Sequence, residues 1–202
     1  MCIRDSLDDG LSAEDVVEIV DHATAQASER TGIEARNILC TLRHFSEAQS
    51  LETIKLVEKF QGGTVAGFDI AAGEAGFPID AHIAAFAYAR EKGIFCTAHA
   101  GEARGADSIW EVLEHFKPDR IGHGVRAIED PKLLEHLKEN GIHLEVCPTS
   151  NIQVDVFDAY EDHPVDKLFR QGVPMSISTD ARTICNISPV SYTHLTLPTS
   201  NG

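Results

Sequence analysis

Ile94-Phe95-Cys96-Thr97-Ala98-His99-Ala100-Gly101-Glu102 decides how this chain is read. Ile94 to Ala98 form a short apolar run of strand character, and a polar group, His99-Ala100-Gly101-Glu102, follows at its end. The chain turns sharply at the glycine, so the imidazole and the carboxylate can face one cavity above the strand. Three further groups sit in the same way where short apolar runs end: Gly122-His123-Gly124, Cys147-Pro148-Thr149-Ser150-Asn151 and Ser178-Thr179-Asp180. Functional side chains at the C-terminal ends of several successive strands are how parallel barrel enzymes build their sites.

Working outward, helix-like and strand-like segments alternate from about residue 12 to residue 180. Ser12 caps a helix that runs to Gly32, and residues 37–43 read as a strand. Ser46 caps a helix stopped by Gly62-Gly63, Thr64 to Ala71 is a strand, and a helix bearing Ile79, Ile83 and Phe86 closes at Gly93. Then follow the strand Ile94–Ala98, a helix with Ile109, Val112 and Leu113, and the strand Arg120–His123. Asp130-Pro131 opens the next helix, as N-cap and first helical residue. Ile142–Val146, a helix around Leu168, and Pro174–Ser178 complete the series.

This rhythm means βα units and a parallel sheet. No glycine-rich phosphate loop follows the first strand, as an open doubly wound sheet would favour. The expected fold is therefore an α/β, (β/α)8 TIM barrel with about six βα units present, its beginning cut away. Residues 7–189 are expected to form this partial barrel domain, and 1–6 and 190–202 read as non-native terminal sequence.

Composition narrows the function. The 202 residues carry 17 Lys and Arg against 32 Asp and Glu, a net charge of −15, which argues against a nucleic-acid backbone or an anionic membrane as partner. Five scattered cysteines form neither a disulfide framework nor a Cys-x-x-Cys knuckle, which favours a reducing, cytoplasmic setting. No stretch approaches the length of a membrane span, and the first residues lack the apolar run of a secretory signal.

The side chains at the strand ends are those of a catalytic zinc site. A neutral imidazole such as His99 suits zinc, and a nearby carboxylate that is not a ligand, such as Glu102, can shuttle protons. His123, between glycines, is a ligand, a base that orients water, or a stabiliser of developing negative charge. Asp180 can complete a zinc site and hydrogen-bond a bound water. The remaining histidines, at 22, 44, 82, 115, 136, 143, 163 and 194, fall on helices or in loops without a partner, and most read as solvated or structural.

Thr97 to Glu102, Ser108-Ile109-Trp110, Arg120 to Val125, Cys147 to Asn151 and Ser178-Thr179-Asp180 together resemble the adenosine deaminase family, as does Phe68 to Glu74 followed by Gly76-Phe77-Pro78. The resemblance implies a TIM barrel holding one Zn2+ ion. It also implies hydrolytic replacement of the 6-amino group of adenosine or 2'-deoxyadenosine, giving inosine or 2'-deoxyinosine and ammonia, in purine salvage. By position it makes His99 and Asp180 zinc ligands, Glu102 the proton donor to purine N1, and His123 the group that positions and deprotonates the water. Ala72, Gly73 and Ala181 become substrate-binding positions, and the partner a small purine nucleoside.

The sequence departs from the family pattern at three places. The His-x-His pair that supplies two more zinc ligands is absent, so very weak zinc binding and negligible turnover are expected of this polypeptide alone. Ala181-Arg182 stand where many relatives carry a second aspartate that contacts the purine. Ala72 stands where relatives often have glycine. Two other readings remain open at this point: deamination of adenine or a modified aminopurine nucleoside, and a non-catalytic barrel fragment. Gly122 favours the nucleoside, since adenine-specific relatives tend to carry aspartate there.

Overall fold

A computed structural model describes residues 10–192, which fall into two compact units. The first runs to Ala72 and resumes over Phe77–Thr97; the second holds Gly73–Gly76 and continues from Ala98. No helix among the described residues is long and apolar enough to cross a membrane.

In the first unit, α1 (Ala13–Thr31) begins with a capping box. The Asp15 amide donates to the Ser12 hydroxyl at 3.1 Å, and the Ser12 amide donates back to the Asp15 carboxylate at 2.9 Å. Ser46 and Gln49 repeat the device ahead of α2 (Glu47–Phe60). Strands β1 (Asn37–Leu42) and β2 (Val65–Ala71) pair in parallel, with Ile38 opposite Gly67 and Leu42 opposite Ala71. A 3-10 turn over Asp80–His82 leads into α3 (Ile83–Glu91). Ile54, Val57, Phe68, Ile70, Phe86 and Ala89 fill the core, with the Phe68 and Phe86 rings 4.8 Å apart. His82 is fully buried between the Ser50 hydroxyl and the Arg43 carbonyl, 3.1 and 3.2 Å from its ring nitrogens, a structural histidine.

Gly67 has a steric reason. A Cβ there would meet the Phe95 carbonyl oxygen at 2.8 Å, because the neighbouring Phe68 amide donates to that oxygen at 3.0 Å. Gly67→Ala is therefore expected to destabilise by about 1–3 kcal/mol. The check is a lower urea midpoint at unchanged slope; an unchanged midpoint would mean the Phe95 segment yields freely.

In the second unit, four strands lie in the order β3 (Thr97–Ala100), β4 (Arg120–His123), β5 (His143–Val146) and β6 (Met175–Ile177). β4 and β5 pair in parallel with Ile121 opposite Leu144, and β5 and β6 with Val146 opposite Ile177. Between them come α4 (Ala106–His115), α5 (Pro131–Glu139), α6 (Pro148–Gln153) and α7 (Val165–Arg170), with α8 (Arg182–Cys185) after the last strand. Ile109, Val112, Phe116, Ile121, Leu133, Leu137, Leu144 and Leu168 pack its core. Asp130 caps α5 as expected, its carboxylate accepting from the Lys132 amide at 2.9 Å.

The expected six strands are all present, but β3 starts later than Ile94. The Ile94 amide closes the end of α3 on the Ala89 carbonyl, and the Phe95 side chain is 71% exposed, so neither residue joins the four-stranded sheet. The short α6 was not expected; six residues are too few for a helical apolar period to show.

Candidate active site

Every strand of the second unit delivers a polar side chain at its C-terminal end. His99 lies in β3, and the chain turns at Gly101 with φ +69°, where a Cβ would stand 2.3 Å from the Ile109 side chain. Only glycine fits that turn. Glu74 holds it from within: one carboxylate oxygen accepts from the Gly101 amide at 2.6 Å and the Ser108 hydroxyl at 2.5 Å. The other accepts from the amides of Glu102, Ala103 and Arg104 at 3.0, 2.6 and 3.0 Å. Burial alone would push the pKa of Glu74 up, but the Ser108 hydroxyl and these amides outweigh it and hold the carboxyl below the ordinary glutamate range. The Glu102 carbonyl is in turn clamped by Arg126 Nε at 3.1 Å.

At the end of β4, His123 is 3% exposed and adopts φ +59°, between Gly122 and Gly124. Gly122 lets the His99 ring lie against the backbone, since a Cβ there would stand 2.9 Å from His99 Cγ and Nδ1. The His99 and His123 rings are 5.1 Å apart, inclined at 60°. His123 Nδ1 is 3.1 Å from Glu102 Oε1, and Nε2 is 3.9 Å from Asp180 Oδ2. Asp180 follows β6 at φ +54°, and the Ser150 hydroxyl donates to its Oδ2 at 2.7 Å. Histidine and aspartate tolerate this left-handed backbone better than most side chains, yet it remains strained.

The second unit thus brings His99, Glu102, His123 and Asp180 together. Burial raises the pKa of Glu102, and the Asp180 and Glu74 charges add to the rise, against an Asn151 hydrogen bond and the field of His99. A carboxyl so placed can hold its proton nearer neutrality and deliver it as a general acid. Of the other positions singled out from sequence, Ala181 is exposed and precedes α8, and Gly73 opens the segment that carries Glu74. Ala72 follows β2 in the first unit with φ +73°.

The sequence reading left five residues without a role here. Glu74 and Ser150 brace the turn and Asp180 as described. Asn151 is fully buried and its Nδ2 lies 2.8 Å from Glu102 Oε1. His163 is buried against Asn151, 3.1 Å away, and so is not a solvated loop histidine. Cys147 completes a group with His123 and Asp180 whose ligand-type atoms lie within 4.8 Å of one another, the one such group among the described residues. Burial, and then the Asp180 and Glu102 charges, push its thiol up to about 12, so it stays protonated unless a metal displaces the proton. Motif membership flagged Ser150, Asn151 and Cys147; nothing local flagged His163.

For a metal, the donors fit zinc in kind: the His123 imidazole lies 3.9 Å from the Asp180 carboxylate, and the His99 ring lies 5.1 Å from that of His123. In number, His99 and Asp180, the two ligands that the resemblance implies, would fall short of the three protein ligands that a catalytic zinc usually takes.

The family description "Adenosine deaminase" matches residues 2–193. An adenosine deaminase of Clostridium acetobutylicum is 37% identical over 180 residues, covering 89% of this chain and 54% of the relative. An adenine deaminase of Rhizobium rhizogenes is 41% identical over 171 residues, covering 85% and 53%. A crystal structure of an amidohydrolase of Burkholderia ambifaria with bound Zn superposes with a TM-score of 0.82 at 26% identity, covering 89% of this chain and 50% of that one. The chain spans about half the length of these relatives. The structural likeness identifies the six βα units as part of a (β/α)8 barrel.

Proposed function

Because the chain belongs to the adenosine deaminase family, we propose that its second unit carries the acid/base machinery of a hydrolytic purine nucleoside deaminase. The reaction adds water at C6 of adenosine or 2'-deoxyadenosine and expels the amine, giving inosine or 2'-deoxyinosine and ammonia. One observation carries the reading: a half-buried carboxyl of raised pKa, Glu102, stands 3.1 Å from a buried imidazole, His123, at the ends of adjacent strands.

In this reading neutral Glu102 gives its proton to purine N1, which draws electron density from C6 and makes it the better electrophile. His123 orients the attacking water and takes its proton. His99 and Asp180 would hold a zinc ion together with the His-x-His pair of the family pattern. When bound, that ion supplies Lewis acidity and lowers the pKa of water towards neutrality. Ser150 fixes the Asp180 carboxylate through the bond at 2.7 Å. Gly73 and Ala181 are the proposed purine contacts within the second unit. The net charge of −15 suits a neutral nucleoside better than a phosphate-bearing ligand.

The nucleoside is preferred over free adenine because position 122 is glycine, with the His99 ring lying against it. Steady-state assay of the full-length polypeptide on both substrates tests the choice, through loss of substrate absorbance and release of ammonia. A higher kcat/KM on adenosine is expected. A higher value on adenine would overturn the substrate, and turnover of neither would overturn the reaction.

A further inference from the structure

Asn151 faces three groups at once. Its Nδ2 lies 2.8 Å from Glu102 Oε1 and 3.1 Å from His123 Nδ1, while Oδ1 lies 3.1 Å from Nε2 of His163. An amide can be turned end for end with little change of shape, so its direction must come from its surroundings. His163 supplies that direction. The Val165 amide lies 3.2 Å from His163 Nδ1, and a backbone N–H can only donate. Nδ1 therefore bears the lone pair, and in neutral imidazole the proton sits on Nε2, which donates to Asn151 Oδ1. Burial pushes the pKa of His163 down to about 4, so the ring stays neutral at working pH, and Phe157 packs edge-on against it at 5.0 Å.

The Asn151 NH2 group is thus aimed at Glu102 and His123. Turning it round would set N–H against N–H at His163 and carbonyl against carboxylate at Glu102, an exchange too costly at a fully buried position. Glu102 Oε1 and His123 Nδ1 are then both acceptors of one donor, 3.1 Å from each other.

We infer that Asn151, locked by His163, is a positioning residue that fixes the Glu102 carboxyl beside the His123 ring. The inference deepens the deaminase reading and rests on it for the catalytic consequence. Without the lock, the amide can turn end for end, and the Glu102 carboxyl loses the donor that holds its place.

The test uses the full-length polypeptide. His163→Phe keeps a ring and removes the donor; His163→Gln keeps an N–H donor. His163→Phe is expected to lower kcat about 10- to 100-fold with KM and zinc content nearly unchanged, and His163→Gln to recover most of the loss. Wild-type kcat in His163→Phe, or equal impairment in both variants, would overturn the inference. Nitrogen-15 NMR of the unsubstituted protein gives a readout independent of turnover. His163 is expected to show its proton on Nε2, and the Asn151 side-chain amide to shift on Glu102→Gln. A proton on Nδ1, or an unmoved amide, would overturn the inference even if the variants fail to fold. If neither adenosine nor adenine is deaminated, the functional reading fails while these spectra still decide the role of Asn151.

Discussion

Glu102→Gln in the full-length polypeptide is expected to cut kcat by about 10²- to 10⁴-fold, the range in which a positioned general acid works. Glutamine keeps the shape, and its carbonyl can still accept from Asn151, but it has no acid proton to give. KM and zinc content should change little, because Glu102 is not among the proposed ligands. The pH dependence has a definite sign. The group acts in its protonated form, so its contribution is present below its folded pKa and lost as pH rises through it. Burial raises that pKa, which carries the active range towards neutrality. In the variant this alkaline limb of kcat should disappear. Retention of wild-type kcat, or of the alkaline limb, would show that the proton comes from elsewhere.

The second large effect falls on stability. Glu74→Ala removes the acceptor for the amides of Gly101, Glu102, Ala103 and Arg104 and for the Ser108 hydroxyl. Orphaned buried donors cost about 1–3 kcal/mol each before relaxation, and water re-solvates some of these, so a net loss of about 3–5 kcal/mol is expected. Denaturant unfolding reads it directly. The turn that carries Glu102 should also lose its order, so any folded variant would be a poor catalyst. Linkage gives an independent check. The folded pKa of Glu74 is depressed, so its contribution is complete above the unfolded value of about 4.3 and is lost as pH falls through the folded one. The variant should therefore lose stability less steeply with acid in that window. Unaltered stability and an unaltered acid limb would refute the bracing role.

How much of this was legible depends on the range over which each signal acts. Caps at Ser12, Ser46 and Asp130 and glycine stops are local, and the helices they bound were readable. The start of β3 was not, because apolar Ile94 and Phe95 look like strand, while their backbone bonds go to Ala89 and Phe68. His99, Glu102, His123 and Asp180 stand in motifs at strand ends, and the second unit does gather them. Glu74 meets its partners 27 to 34 residues further along the chain, a pairing no local pattern announces. His163 is legible only once Asn151 is seen beside it. Residues 1–6 and 193–202, within the stretches read as non-native, lie outside the described residues. Tyr192, from the second of those stretches, is described, and its hydroxyl donates to Thr149 Oγ1 at 2.7 Å.

The left-handed backbones of His123 and Asp180 set the molecule's durability against its chemistry. A non-glycine residue in that conformation carries about 1–2 kcal/mol of unfavourable energy, which glycine at 123 or 180 would release. Variants sorted for heat tolerance alone therefore drift towards a hardier molecule emptied of its working groups.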